Sequence, residues 1–334
     1  MTTAILAILL FCIMIFPHEL GHFIAAKRLG VTVNEFAFGM GPAIWKKQGK
    51  ETLYSIRIFP IGGYCAMEGE DEESDNPRAF SNKKPLHKLI ILAAGSFMNV
   101  VCAVVIMILV VGILGFTTTT LDAVTPDSPA AIAGIQGGDK IVMIDGDAVD
   151  QWTDVTTKIA NSGGKELAFT VERDGAQETF KVTPAESKDQ GYIVGITCKV
   201  SHNPARAVIE GAKATWSLTL ALFDTLGQLF SGSVGAESLA GPVGMVQMVS
   251  QTSSYGLWYY GFLTAMICIN LAIINMLPFP ALDGGRIIFV LYTMITGKPV
   301  NQKVEGAIHF AGLMLLLGLF VFVTINDVTR IFGS

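Results

Sequence analysis

Along the chain, hydrophobic and polar positions fall into two regimes. Residues 3–26, 89–116, 255–282 and 307–325 are apolar runs broken by few or no charges. Each is long enough to cross a bilayer as a helix, which takes roughly 20 residues. Between the second and third runs the pattern shortens into alternating stretches separated by Gly and Asp. There, Ser128-Pro129 opens a helix that Gly134 ends, and IVMIDG follows as a strand. A helix over 152–161, a strand over 167–173, the Asp174-Gly175 hairpin signal and a strand over 178–183 come next. The stretch 204–230 mixes Trp216, Leu220 and Phe223 with Arg206, Lys213 and Asp224; it is too charged to span and is expected to lie along a membrane surface.

Composition agrees with a membrane protein. The 334 residues are 51% hydrophobic and 15% charged, with a mean hydropathy of +0.51, beyond the usual soluble range. A net charge of −5 without basic blocks argues against nucleic acid as a partner. The five cysteines lack CxxC or CxH spacing and read as small buried hydrophobes. The first run has no basic leader, and its small-residue pair Ala25-Ala26 lies beyond the HELGH motif, so it is expected to be a span and not a cleaved signal peptide.

Positive charge sets the orientation. Ten Lys and Arg residues lie between Lys27 and Lys88, and Arg286, Lys298 and Lys303 follow the third run. By the excess of cations on cytoplasmic loops, both segments are expected in the cytoplasm, with the termini and 117–254 outside. The expected organisation is a span over 1–28, a cytoplasmic segment over 29–87, a span over 88–116 and a small domain over 117–187. Connecting and amphipathic helices then fill 188–254, a span 255–285, a cytoplasmic loop 286–305 and a last span 306–330.

Chemistry enters with FPHELGHF, residues 16–23, inside the first span. Ionisable groups at that depth are costly and mark functional sites. His18 and His22 are four apart, so a helix projects both from one face. Two imidazoles so placed can grip one zinc ion, and Glu19 is the base for water bound to it. A hydrolytic zinc usually takes a third protein ligand. The other spans offer one anionic candidate, Asp283 in NMLPFPALDGGR, where Pro278 and Pro280 must unwind the helix. Spacing alone leaves Asp283 equally readable as the cap of an interfacial turn.

In the cytoplasmic segment, FAFGMGPAIW and TLYSIRIFPIGGYCAMEG flank a polar turn. Tyr54, Ile56 and Ile58 alternate as the buried face of a strand would, Pro60 suits an edge, and Gly62-Gly63 admits a second backbone. Such an edge can hold a peptide in extended form by β-addition. The acidic run 69–75 reads as a solvated loop. His309 is the one ionisable group within the fourth run.

HELGH, the SPAAIAGIQGGD…IDG pattern and NMLPFPALDGG together resemble the site-2 protease family of intramembrane metalloproteases, most closely the bacterial RseP type with a single PDZ domain. The resemblance covers nearly the whole chain. It implies a polytopic α-helical membrane protein with four transmembrane helices, a membrane-associated β-sheet and an extracytoplasmic α+β PDZ domain over 117–187. It implies Zn2+ held by His18, His22 and Asp283, with Glu19 as general base. Asn275, Pro278 and Pro280 fall in the family pattern N-x-x-P-x-P-x-L-D-G, and Asn275 is implied to hold substrate or a developing oxyanion. Gly62, Gly63 and Tyr64 match a membrane-dipping GGY loop. Asn99 matches a second-span Gly-x-x-x-Asn element in which Ser96 replaces the usual Pro. The implied partners are the lipid bilayer of the bacterial cytoplasmic membrane and single-span membrane proteins such as anti-sigma factors or remnant signal peptides, cut near the cytoplasmic side. A metal-ion transporter and a non-catalytic PDZ scaffold are the rival readings. Glu19 and the absence of paired internal repeats argue against transport.

Overall fold

The computed structural model describes residues 2–70, 72, 74–187, 191–233, 241–298 and 300–332. It divides into two compact units, residues 1–110 with 211–334, and residues 111–210.

In the first unit, α1 (Thr2–Arg28) and α2 (Pro85–Leu114) are joined by two long strands, β1 (Val33–Gln48) and β2 (Leu53–Met67). Both strands bend. Residues 33–38 pair on one side with 63–67 and on the other with 53–56, and 53–56 pair in turn with 45–48. The bends fall where β1 carries Gly39 and Gly41, both at positive φ; a Cβ on Gly39 would lie 2.5 Å from the Phe59 carbonyl oxygen. Phe36, Cys65 and Met67 pack beneath Ala26, Ile91 and Leu92 of the two helices.

The expected faces of this sheet hold at Tyr54, which packs against the core, and fail beyond it. Ile56 and Ile58, expected as the buried side, are 42% and 52% exposed, while Ser55 is buried. Ser55 and Arg57 turn inward to the Glu35 carboxylate, at 2.6 and 2.8 Å. An apolar outward face over an inward polar cluster inverts the usual pattern of an antiparallel sheet with one face in water.

The second unit contains β3 (Phe116–Val124), α3 (Pro129–Ala133), β4 (Lys140–Ile144), β5 (Asp147–Ala148), α4 (Trp152–Asn161), β6 (Leu167–Arg173) and β7 (Ala176–Val182); α3, β4, α4, β6 and β7 follow the expected order, and β3 and β5 are additions to it. Ser128 caps α3, and Gly134 ends it in the left-handed region. Asp174 and Gly175, both at positive φ, turn β6 into β7. The module runs past the expected limit at 187. After a small pair, β8 (Ala185–Ser187) and β9 (Gly191–Ile193), strand β10 (Ile196–Ser201) pairs with β3, giving the order β10-β3-β4-β6-β7 with β5 on β4. Adding β10 covers an edge that β3 would otherwise leave bare. Its core is Leu121, Ile141, Ile144, Phe169 and Val171 with Val155 of α4.

The remaining helices are α5 (Pro204–Phe230), α6 (Pro242–Ser254), α7 (Leu257–Asn275), α8 (Asp283–Thr296) and α9 (Gln302–Phe332). α5 is the expected amphipathic helix, with Trp216, Leu220 and Phe223 exposed. Four helices are long and apolar enough to cross a membrane: Thr3–Arg28, Pro85–Leu114, Leu257–Asn275 and Gln302–Arg330. Two expectations need correction. The third span stops at Asn275, and most of the segment 286–305 expected as a loop is helix, since α8 starts at Asp283 and runs to Thr296. Within the acidic run 69–75, Asp71 and Glu73 lie outside the described residues, as do 188–190 and 234–240 of the connecting segment; Glu70 is bound to Arg286 of α8 at 2.7 Å.

Candidate metal centre

Helix α1 presents His18 and His22 toward α2, both 7% exposed. The approach is possible because two glycines meet there. A Cβ on Gly21 would run into the Ala94 carbonyl oxygen of α2. One on Gly95 would overlap His22 Nε2 and come within 2.7 Å of His18 Cε1. Small residues at a crossing let helices in a membrane approach closely, and here the space admits two imidazoles.

The His22 ring is held by a hydrogen bond from Nδ1 to the Ile91 carbonyl oxygen of α2, 2.9 Å. Donating there leaves the Nε2 lone pair for a metal, the usual arrangement for a ligating histidine. Asp283 comes from the other side of the sequence. Helix α7 ends at Asn275, the chain turns through Pro278 and Pro280, and Asp283 is the first residue of α8. The turn is tight: a Cβ on Gly284 would lie 2.5 Å from the Met276 carbonyl oxygen, and one on Gly285 would overlap Phe279 O.

Three ligand atoms then stand at equal distances. His18 Nε2 and His22 Nε2 are 3.3 Å apart, and each is 3.3 Å from Asp283 Oδ2. The edge of a tetrahedron whose zinc bonds are about 2.0–2.1 Å long is about 3.3–3.4 Å. The triangle therefore has the dimensions of three ligands on one zinc. Asp283 Oδ2 is also buried with no hydrogen-bond partner, a costly state that a cation resolves. Among the described residues, His18, His22 and Asp283 are the one group of three such side chains close enough to share an ion.

The other expected residues divide around this triangle. Asn275 Nδ2 is 3.2 Å from His18 Nε2. Glu19, half-buried, adjoins the sheet edge, since a Cβ on Gly63 would lie 3.6 Å from its Cγ. Asn99, one turn beyond Gly95, is fully buried with neither amide atom partnered. Gly62 takes a positive φ of 91°. Tyr64 turns its hydroxyl to Arg57, part of the Glu35 cluster. Burial works against the Glu35 charge, but the Ser55 hydroxyl, Arg57 and Tyr64 outweigh it and hold that carboxyl below its ordinary range. Pro278 is exposed, whereas Pro280 packs against Gly312 of α9. The close-approach roles of Gly95 and Gly312 and the Ile91 carbonyl were missed in the sequence; for the two glycines, their place inside an apolar helix was the signal.

Known protein sequences match this chain along nearly its whole length. A relative in Clostridium acetobutylicum, named a zinc metalloprotease by inference, is 38% identical over 97% of this chain and 96% of its own. Zinc metalloprotease RasP of Oceanobacillus iheyensis is 30% identical over 99% of this chain and 100% of its own. Among solved structures, a PDZ domain from Listeria monocytogenes covers 25% of this chain and 87% of its own at 23% identity, with a TM-score of 0.22. Residues 6–319 match peptidase family M50. With that match and those relatives, the chain belongs to peptidase family M50, the site-2 protease family of zinc metallopeptidases.

Proposed function

We propose that His18, His22 and Asp283 hold the zinc of this peptidase and that Glu19 is its general base, in an enzyme that cuts single-span membrane proteins within the bilayer. The observation that carries this reading is the triangle of 3.3 Å edges with a buried, unpartnered carboxylate oxygen at one corner. Zinc bound there acidifies a water molecule and polarises a peptide carbonyl. Glu19 takes the proton of the attacking water and returns it to the departing amine. A ligating His18 Nε2 has no lone pair for a second donor, so the Asn275 amide is free to donate to the substrate carbonyl as negative charge develops. Asn99 offers a further buried amide on α2.

The substrate must lose its helical hydrogen bonds before any bond is reached. Residues 63–67 pair on one side only, with 33–38, and pass beside Glu19. A substrate strand added to that edge would lie extended along the catalytic residue. Gly62 and Gly63 supply the clearance. Pro278 and Pro280 shape the turn that delivers Asp283. The cation-rich segment between α1 and α2 belongs in the cytoplasm, which puts the metal in the cytoplasmic half of the membrane and the termini and second unit outside. The second unit is read as a PDZ domain on its capped α3, β4–β6–β7 meander and closing β10. Substrates of this class include anti-sigma factors and remnant signal peptides.

The test uses Glu19→Gln and His22→Ala beside the unaltered chain. Glu19→Gln should keep its zinc and lose about 100-fold or more of its cleavage of a helical substrate; His22→Ala should lose both. Cleavage undiminished in Glu19→Gln would remove Glu19 from the mechanism, and zinc retained in full by His22→Ala would break the ligand set.

A further inference from the structure

His309 stands alone as an ionisable group within the apolar run of α9, and the chemistry above does not use it. In a membrane helix such a group needs a reason. The structure supplies one in the turn that carries Asp283. The Ala281 N–H donates to His309 Nδ1 at 2.8 Å. Ala281 has a φ of 76°, in the left-handed region that side chains other than glycine avoid. A residue persists in that state only when its surroundings hold it there.

Helix α9 holds the same turn a second way. One turn beyond His309, a Cβ on Gly312 would lie 2.5 Å from both the Pro280 carbonyl oxygen and Pro280 Cβ. Pro280 thus seats against bare backbone while its neighbour Ala281 is tied by a hydrogen bond. Two residues later comes Asp283. The His309 ring is itself oriented from two elements. Phe289 of α8 lies against it with ring centroids 5.5 Å apart, and Glu305 Oε1 is 4.0 Å from its Nε2. A ring that accepts at Nδ1 carries its proton on Nε2, the side on which Glu305 lies.

We propose that His309 is a positioning residue for the metal centre: through Ala281 it fixes the strained turn that aims the Asp283 carboxylate at the two histidines. The inference rests on Asp283 being a ligand. Groups one step removed from a ligand commonly hold metal affinity to this degree, with losses of about 10–100-fold when removed.

Two variants of similar bulk separate the hydrogen bond from mere filling of space. In His309→Asn the amide oxygen can occupy the place of Nδ1 and accept from Ala281. In His309→Gln the amide sits one atom farther out, where Nε2 was. The full chain is purified in detergent, loaded with zinc, and the rate of zinc transfer to a coloured chelator is followed. His309→Gln should release zinc about 10-fold faster or more than the unaltered chain, while His309→Asn should stay near the unaltered rate. Equal rates in all three proteins would overturn the proposal, and so would equal acceleration in both variants, which would mark the ring as packing alone. An unaltered chain that binds no zinc would instead sink the metal-centre reading on which the proposal depends.

Discussion

In the β1–β2 sheet the residues turned outward are Ile56, Ile58 and Phe59, and those turned inward include Ser55 and Arg57 bonded to Glu35. In the sheet of the second unit Phe169 and Val171 are buried, while Glu172, Thr179 and Lys181 face out. In β6 buried and less buried positions alternate with a period of two, whereas the bent β2 breaks that period, adjacent Ile58 and Phe59 both being exposed. We propose that what differs is the solvent each surface is built for. A sheet that borders lipid gains nothing by hiding apolar side chains and must hide its polar ones. One that borders water does the reverse. The first sheet also lies beside Glu19, the residue proposed as general base.

The largest expected effect comes from removing the centre of the water-facing module. Phe169 is fully buried among Leu121, Ile141 and Val171. Phe169→Ala should cost about 3–5 kcal/mol through lost burial and a residual cavity. Hydrogen exchange in β4, β6 and β7 should accelerate throughout, while zinc stays bound, because the proposed ligands His18, His22 and Asp283 lie in the other unit. Zinc lost together with that protection would show that the two sheets do not have separate cores.

Next in size is the lipid-facing sheet. Ile58→Lys places an ammonium where hydrocarbon is expected, at a cost of about 1–3 kcal/mol depending on depth. The effect should appear in vesicles as faster proteolytic nicking near residue 58 and reduced cleavage of a membrane substrate. Unchanged behaviour in vesicles would mean that this face borders water after all.

These two sheets also mark what could be read in the sequence. The four long helices were legible because length and apolarity suffice to specify a span, and His18, Glu19 and His22 because a helix makes their spacing a geometry. The capped α3 and the Asp174-Gly175 turn were legible because each rests on local backbone chemistry. The facing of Ile56 and Ile58 was not, since a period of two states which residues share a face but not which solvent that face meets. Helix α8 was missed because Asp-Gly-Gly-Arg reads as a turn until the packing of Gly284 and Gly285 against 276–280 is known. Strand β10 was missed because it is short and its partner β3 lies about 80 residues earlier in the chain. Gly95 meets the His18 and His22 rings and Gly312 meets Pro280, all far away in sequence, so nothing local announces them.

Acid should loosen the sheet of the second unit. In the second unit Arg173 holds Asp139 with two hydrogen bonds, both 2.7 Å. Burial opposes the Asp139 charge, but Arg173 and the Gln136 N–H outweigh it, so its carboxyl titrates below its ordinary value. A folded pKa below the unfolded value of about 3.9 adds stability that is present above that pH and lost as pH falls through the folded value. Protection of β4 and β6 from hydrogen exchange should therefore fall below about pH 4. Asp139→Asn should be less stable at neutral pH and show a flatter acid profile. An identical profile in the variant would assign the acid sensitivity to other carboxylates.

The smallest effect is the matching control for Ile58→Lys. Thr179 lies on the exposed face of β7, opposite Thr170, and the two hydroxyls are 3.1 Å apart. Thr179→Lys removes that cross-strand pair, which is worth about 0.2–1 kcal/mol. The new ammonium itself costs little, because the face it joins already carries exposed Gln177 and Lys181. The same side chain is thus introduced at an outward strand position of each sheet, and the ratio of the two costs measures the difference in solvent directly. In vesicles Ile58→Lys should be the more damaging. In mild aqueous denaturant without lipid or detergent the gap should narrow, since the lipid that penalises the charge is gone. If Thr179→Lys proves as costly as Ile58→Lys in vesicles, the inversion of the first sheet has some cause other than the bilayer.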